Sequence, residues 1–338
     1  MTRRQIADPF DEDIPLSLTR RCVVLGQVVE FRTHDAAWLA LVDAAYGGLP
    51  GAVMQPEAPA LRLDLFVSDA APTWPLDAAP PAPQMLGGAG VRGALLDANH
   101  AALAVLDTGR AVVRLSRALL VHSYHARYEF LEFAVYVLAQ HASRMLPLHA
   151  GCVALGDAAA LIVGDSGAGK STLSLLALAE GLQFLTEDSC FVDPVSLRVA
   201  GVPNFLHLRF DALDWLHDAG WRERVQASAV IHRRSGVAKW ELDMRGGWAP
   251  LATGLPVLRH LVFASSRPAG EQPLLRSLGT DEVLARLRDT QPYGARHAGW
   301  AAFEHTLAGV QGWELRRGAH ARQGAQALAA LFKLPAPR

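Results

Sequence analysis

Lysine is scarce in this chain: of 32 lysines and arginines only Lys170, Lys239 and Lys333 are lysine. Cysteine is as rare. Cys22, Cys152 and Cys190 are odd in number and widely spaced. That spacing excludes a disulfide framework and a cysteine-rich metal site, and it fits a reducing, cytoplasmic compartment. Neither charge sign dominates, the formal net charge being −1, so no basic face for nucleic acid is expected. No apolar run approaches the roughly 20 residues that a membrane-spanning helix needs. Arg3-Arg4 near the start are followed by Asp11, Glu12 and Asp13 rather than by an apolar stretch, so a signal peptide is not expected. Internal repeats are absent. What remains is a chain of 338 residues, 51% apolar, which suffices for a packed core and most naturally for two domains.

The first segment, residues 1–125, reads as a small α+β domain. Asp35 to Tyr46 has a helical pattern, and Leu61 to Val67 alternates like a strand. Ala71 to Pro83 is rich in proline and alanine and reads as a loop. Ala102 to Leu106 and Ala111 to Leu115 flank a glycine-containing turn, as in a hairpin. The histidines here (His34, His100, His122 and His125) lack partners at metal-ligand spacing and read as core or surface residues. The second segment, 126–338, opens with a helix from Tyr128 to Met145 that Pro147 stops. A hairpin through Gly156-Asp157 leads to the apolar run Ala159 to Val163. Later come a helix from Asp211 to Gly220, a buried strand from Val257 to Ala264, a helix capped by Thr280-Asp281, a C-terminal helix from His320 to Phe332, and a tail from Pro335 to Arg338.

The most informative stretch follows Val163. Gly164-Asp165-Ser166-Gly167-Ala168-Gly169-Lys170-Ser171 is a complete phosphate-loop motif. Its glycines let successive backbone N–H groups turn inward around phosphate oxygens. Lys170 reaches the β- and γ-phosphates, and the Ser171 hydroxyl is placed to ligate Mg²⁺. Thr172 continues into a good helix former, so a helix N-terminus faces the anion. One of only three lysines stands at the motif position, where a compact point charge suits phosphate better than the arginine fork. The strand Gly181 to Thr186 then ends in Glu187-Asp188, which can bring a carboxylate beside a metal held by Ser171. Lys239 is left open between a phosphate or substrate contact and an exposed strand position. Arg233, Arg234 and Arg267 read as surface residues.

From His149 through Gly164–Ser171 to Glu187-Asp188, the chain resembles the catalytic domain of HPr kinase/phosphorylase. It is more distantly similar to ATP-dependent phosphoenolpyruvate carboxykinases. The likeness runs from about residue 145 to 215 and weakens through Gly201-Val202-Pro203 and Leu206-His207-Leu208-Arg209. It implies an α/β fold, a P-loop kinase domain on a mixed sheet; the small N-terminal α+β domain over residues 1–125 does not match that of the family. It implies ATP and Mg²⁺ as cofactors, with Ser171 and one of Glu187 or Asp188 serving the metal. It implies Asp188 as acceptor of a serine proton, His149 as an orienting group near phosphate, and Arg209 as a neutraliser of the moving phosphoryl charge.

Three departures shift the reading. Glu187 stands where the family usually has aspartate, His207 replaces a glutamate, and Phe210 replaces a glycine. They turn the expectation away from HPr itself and from phosphorolysis. The resemblance then points to divergent HPr-kinase-related proteins that phosphorylate serine in ribosomally made peptides, lasso precursors among them. The expected partner is a peptide or protein with an acceptor serine. HPr kinases form hexamers, and the different N-terminal domain leaves the oligomeric state here open. Two other readings stand beside this one: carboxykinase-like transfer to a small molecule, and an ATP-gated binding module without catalysis.

Overall fold

The computed structural model describes residues 14–54, 56–75, 78–165 and 167–333. Ser166, the N-terminal charged stretch through Asp13 and the tail from Pro335 lie outside the described residues. The chain divides into two compact units. One runs to Gly47 and resumes after Met54 as far as Ala142; the other comprises Gly48–Met54 and the chain from Ser143 onward.

The first unit is built on a seven-stranded sheet. Its strands are β1 (Leu18–Val24), β2 (Gln27–Thr33), β3 (Leu61–Ser68), β4 (Gln84–Gly88), β5 (Val91–Asp97), β6 (His100–Val105) and β7 (Arg110–Ser116), in the order β1-β2-β3-β7-β6-β5-β4. β2 alternates buried and half-buried residues along its whole length, as a strand covered on one face should. Helix α1 (Ala36–Tyr46) begins where expected, because the Asp35 carboxylate accepts from the Ala37 N–H at 2.8 Å. It buries Trp38, whose indole N–H donates to Phe66 O at 3.1 Å. After β7 the chain forms two short helices, α2 (Arg117–Val121) and α3 (Ser123–His125), then a π-helical turn over Ala126–Leu131 and α4 (Glu132–Ser143). The helix therefore begins before Tyr128. It ends before Met145, because Arg144 takes a left-handed conformation at φ 56°. The sequence placed this helix at the head of the second domain, but it belongs with the first unit as far as Ala142.

The second unit contains β8 (Leu146–Leu148), β9 (Gly151–Leu155), β10 (Ala158–Val163), α5 (Lys170–Ala179), β11 (Gln183–Thr186), β12 (Cys190–Val192), β13 (Val199–Ala200) and β14 (Phe205–Arg209). It continues with α6 (Ala219–Gln226), β15 (Ala229–His232), β16 (Ala238–Asp243), β17 (Val257–Pro268), β18 (Leu275–Leu278), α7 (Thr280–Thr290), α8 (Trp300–Thr306), β19 (Gln311–Arg317) and α9 (Ala321–Leu331). The main sheet is mixed, in the order β11-β9-β10-β17-β19-β18, with β10 parallel to β17 and antiparallel to β9. Two smaller sheets, β13-β12-β8 and β14-β16-β15, stand beside it.

β10 reads as an unbroken apolar run because both of its faces are covered. Ala159, Leu161 and Val163 pack with Val283 and Leu287 of α7 and with Phe303 of α8. Ala160 and Ile162 pack with Leu175 and Leu178 of α5 and with Leu328 of α9. The protein is thus a mixed α/β fold with helices on both sides of its principal sheet.

Two boundaries differ from the sequence reading. In place of a helix over 211–220 there is a 3₁₀ turn, Phe210–Trp215, followed by α6. Asp218 accepts from the Trp221 N–H at 2.8 Å and so starts a new helix, placing Gly220 in its first turn rather than at an end. Arg222 of α6 donates back to Leu213 O and Leu216 O, closing the short turn. At α7, the residue preceding the helix is Gly279, and Thr280 is already helical.

Candidate functional site

β10 delivers the chain into the glycine-rich loop at a tight place. A Cβ on Gly164 would lie 2.9 Å from Ala264 O of the neighbouring β17. Gly167 and Gly169 both adopt φ 87°, in the left-handed region that excludes most side chains. Gly169 precedes α5 and supplies no side-chain cap. The N-terminus of α5 therefore gets no side-chain cap from the residue that precedes it, and the helix dipole favours an anion there. Lys170 Nζ bends back over the loop and donates to Gly164 O at 2.5 Å and Asp165 O at 3.1 Å. Burial lowers its pKa against the pull of Asp188, Asp165 and Glu187. Ala168 N–H closes the loop onto Asp165 O at 3.1 Å.

The acid pair arrives from β11. Thr186 Oγ1 donates to Ser189 O at 2.8 Å, fixing the turn that carries Glu187 and Asp188. Ser171 Oγ donates to Glu187 Oε1 at 2.9 Å, so the loop helix and the acid turn meet at these side chains. The backbone at Glu187 is pressed from behind by β9, since a Cβ on Gly151 would fall 2.7 Å from Glu187 O. Gly151→Ala is accordingly expected to destabilise the protein by roughly 1–3 kcal/mol. A urea melt checks this, and an unchanged midpoint would show that β9 and the acid turn separate freely.

The third contributor is the small sheet β14-β16-β15. His207 pairs across the ladder with Glu241, and Arg209 with Lys239. These four residues alternate with Leu206, Leu208 and Leu242, which are buried in the core. One face of the sheet is therefore apolar, and the other carries charge toward the acid pair. His207 Nδ1 donates to Glu187 Oε2 in a very short contact, and Nε2 donates to Glu241 Oε1 at 3.0 Å. Burial alone would depress the imidazole, but Glu187 and Glu241 outweigh it and hold His207 up at about 9. Burial would likewise raise Glu187, yet His207, then Lys239 and Arg233, bring it below the ordinary glutamate value. Asp188 goes the other way: burial and the adjacent Glu187 charge raise it above an ordinary aspartate.

His149 is exposed, and its charge is felt at Asp188. Its backbone is clamped by the buried Gln291 at the end of α7. His149 N–H donates to Gln291 Oε1 at 2.7 Å, and Gln291 Nε2 donates to His149 O at 3.1 Å. Arg209 is exposed at the end of β14, with Nε 3.3 Å from Asp211 Oδ1. Lys239 is half-buried, its pKa lowered first by burial and further by Arg233 and Arg209.

Lys170, Ser171, Glu187, Asp188 and His149 thus converge, while Arg209 stands at the exposed margin. Glu241 and Gln291 were not identified from sequence. The alternation of polar and apolar residues over 205–209 and 238–243 is the signal for Glu241; no local signal marks Gln291. The oxygen donors fit a hard cation of the Mg²⁺ kind. No group of three histidine, cysteine or acidic side chains among the described residues forms a closed metal cage, and Mg²⁺ is usually held by one or two carboxylates with phosphate and water. All three cysteines are free. Cys152 and Cys190 are buried, which pushes their thiols well up and leaves them unreactive.

Fold and site together define a mixed α/β protein whose glycine-rich loop and helix N-terminus face a buried acid pair. No protein-family model matches the chain, and no curated protein is similar to it. Among solved structures it is similar to the HPr(Ser) kinase/phosphatase from Coxiella burnetii, at 12% identity over 55% of this chain and 93% of that one, with a TM-score of 0.28. A likeness at that score carries no weight for function. No helix among the described residues is long and apolar enough to cross a membrane.

Proposed function

We propose that this chain is an ATP- and Mg²⁺-dependent kinase that transfers the γ-phosphoryl group to a serine hydroxyl of a peptide or protein in the cytoplasm. The observation that carries the reading is the hydrogen bond from Ser171 Oγ to Glu187 Oε1 at 2.9 Å. It joins the loop's hydroxyl to a carboxylate with Asp188 as its immediate neighbour. Binding a phosphate tail would need only the loop; an acid pair beside it supplies what transfer needs in addition.

The loop N–H groups and Lys170 bind the β- and γ-phosphates. Ser171 and Glu187 would hold Mg²⁺, which would supply charge neutralisation on the phosphates. Asp188 accepts the serine proton as the serine oxygen bonds to phosphorus and the bond to the ADP oxygen breaks. A positioned carboxylate can take that proton as a general base. His149, anchored by Gln291, and Arg209 stand where they can orient the acceptor and offset phosphoryl charge. The N-terminal unit is assigned to acceptor recognition.

Incubating the full chain with Mg²⁺ and γ-labelled ATP in an extract of its source cells tests the reading. A labelled polypeptide is expected with the wild type. With Lys170→Ala its yield is expected to fall by about 10²–10³-fold, the range for losing one charge-stabilising contact. ATP binding without any labelled polypeptide would overturn the assignment of a peptide or protein acceptor.

A further inference from the structure

His207 joins Glu187 to the neighbouring sheet, and the sequence resemblance offers no role for a histidine there. Its two ring nitrogens face two different carboxylates, Glu187 through Nδ1 and Glu241 through Nε2. A carboxylate oxygen only accepts, so both nitrogens donate and the ring is an imidazolium. All three side chains are nearly buried, at 9%, 7% and 11% exposure for His207, Glu187 and Glu241. In such surroundings the contacts are maintained because a parted charge would be stranded.

The consequence falls on the two oxygens of Glu187. Oε2 is held by His207, and Oε1 is the oxygen that meets Ser171 Oγ. A cation arriving between Ser171 and Glu187 therefore finds one carboxylate oxygen rather than two. Mg²⁺ takes single oxygens in a strict octahedron at about 2.0–2.1 Å, whereas Ca²⁺ takes about 6–8 oxygens at longer distances and readily accepts both oxygens of one carboxylate.

We propose that His207 is a positioning residue that sets the metal preference of this site: by holding Glu187 Oε2 it leaves Oε1 alone for the cation and favours Mg²⁺ over Ca²⁺. The inference rests on the reading of Ser171 and Glu187 as the metal-nucleotide site. Asparagine at 207 places an amide nitrogen near the position of Nδ1 and keeps the hold on Oε2. Leucine removes it and frees Glu187 to offer both oxygens.

The experiment is equilibrium binding of a fluorescent ATP analogue to the full chain, titrated separately with Mg²⁺ and Ca²⁺. The proteins are the wild type, His207→Asn, His207→Leu and the double variant His207→Leu/Glu241→Gln. The double variant removes the cation together with one of its two anions, so the net charge of the cluster stays at its wild-type value and fewer buried charges are stranded should the single leucine variant fail to fold. Relative to wild type, the leucine variants are expected to shift the ratio of half-saturating Mg²⁺ to Ca²⁺ toward Ca²⁺ by about tenfold, in the range typical of losing a partner to a metal ligand. The asparagine variant should retain the wild-type ratio, which a purely structural role for histidine would not produce. An unchanged ratio in the leucine variants, or an asparagine variant that shifts as far as leucine, overturns the proposal. Wild-type nucleotide binding that ignores both metals would instead remove the metal-site reading, and this inference with it.

Discussion

Asp188→Asn is expected to abolish phosphoryl transfer and leave nucleotide binding intact. Asn is nearly isosteric with Asp, so the acid turn held by Thr186 keeps its shape. The loop glycines, Lys170 and Ser171 are untouched, and so is the Ser171–Glu187 bond. What disappears is the proton acceptor, worth about 10²–10⁴ in rate for a positioned general base. The substitution also removes a charge that burial and Glu187 make unfavourable, so the variant should melt no lower than wild type. Single-turnover transfer and nucleotide titration on the same preparation check both halves. Full transfer activity would exclude Asp188 as the base.

The largest stability effect is expected at His207. His207→Leu leaves Glu187 and Glu241 buried without the cation between them, and removal of one partner from a buried ionic cluster costs about 3–5 kcal/mol. Denaturant unfolding measures it, and a loss below 1 kcal/mol would mean that the triad is solvated in solution. The wild type carries a matching pH signature. The imidazole is held at about 9 against 6.5 for an ordinary histidine, so the folded state binds its proton more tightly than the unfolded chain. Its contribution is complete below the ordinary value and is lost as pH rises through about 9. Glu187 has the opposite sign. Its lowered pKa stabilises the fold above the ordinary glutamate value of 4.5, and that contribution is lost as pH falls through the lowered value. Melting temperature followed from pH 6 to 10 should therefore drop on the alkaline side in the wild type, and drop less in the leucine double variant, which has no group to deprotonate there.

Much of the local structure was legible in the residues themselves. The helical pattern from Asp35 to Tyr46, the alternation of β3, the apolar run of β10 and the glycine pattern before α5 each act over a few neighbouring positions, and the elements formed where those patterns lie. The sequence reading failed where local signals competed. Over 210–220 a helical pattern gave way to a 3₁₀ turn because Asp218 capped a second helix and Arg222 tied off the first turn. A histidine at 207 could be read as a departure from a family pattern, but not as the partner of acids 20 residues before it and 34 after it. Nothing near Gln291 points to His149, 142 residues away.

The division has a physical cause. Backbone preferences, caps and glycine conformations depend on near neighbours, so the sequence by itself determined the loop, the helix it feeds and the carboxylates at the end of the next strand. Which oxygen of Glu187 faces Ser171, which is held by His207, and which way each pKa moves depend on burial and on the register of β14 against β16. Only the tertiary structure decides those, because charges from distant parts of the chain become strong neighbours when folding removes the water between them.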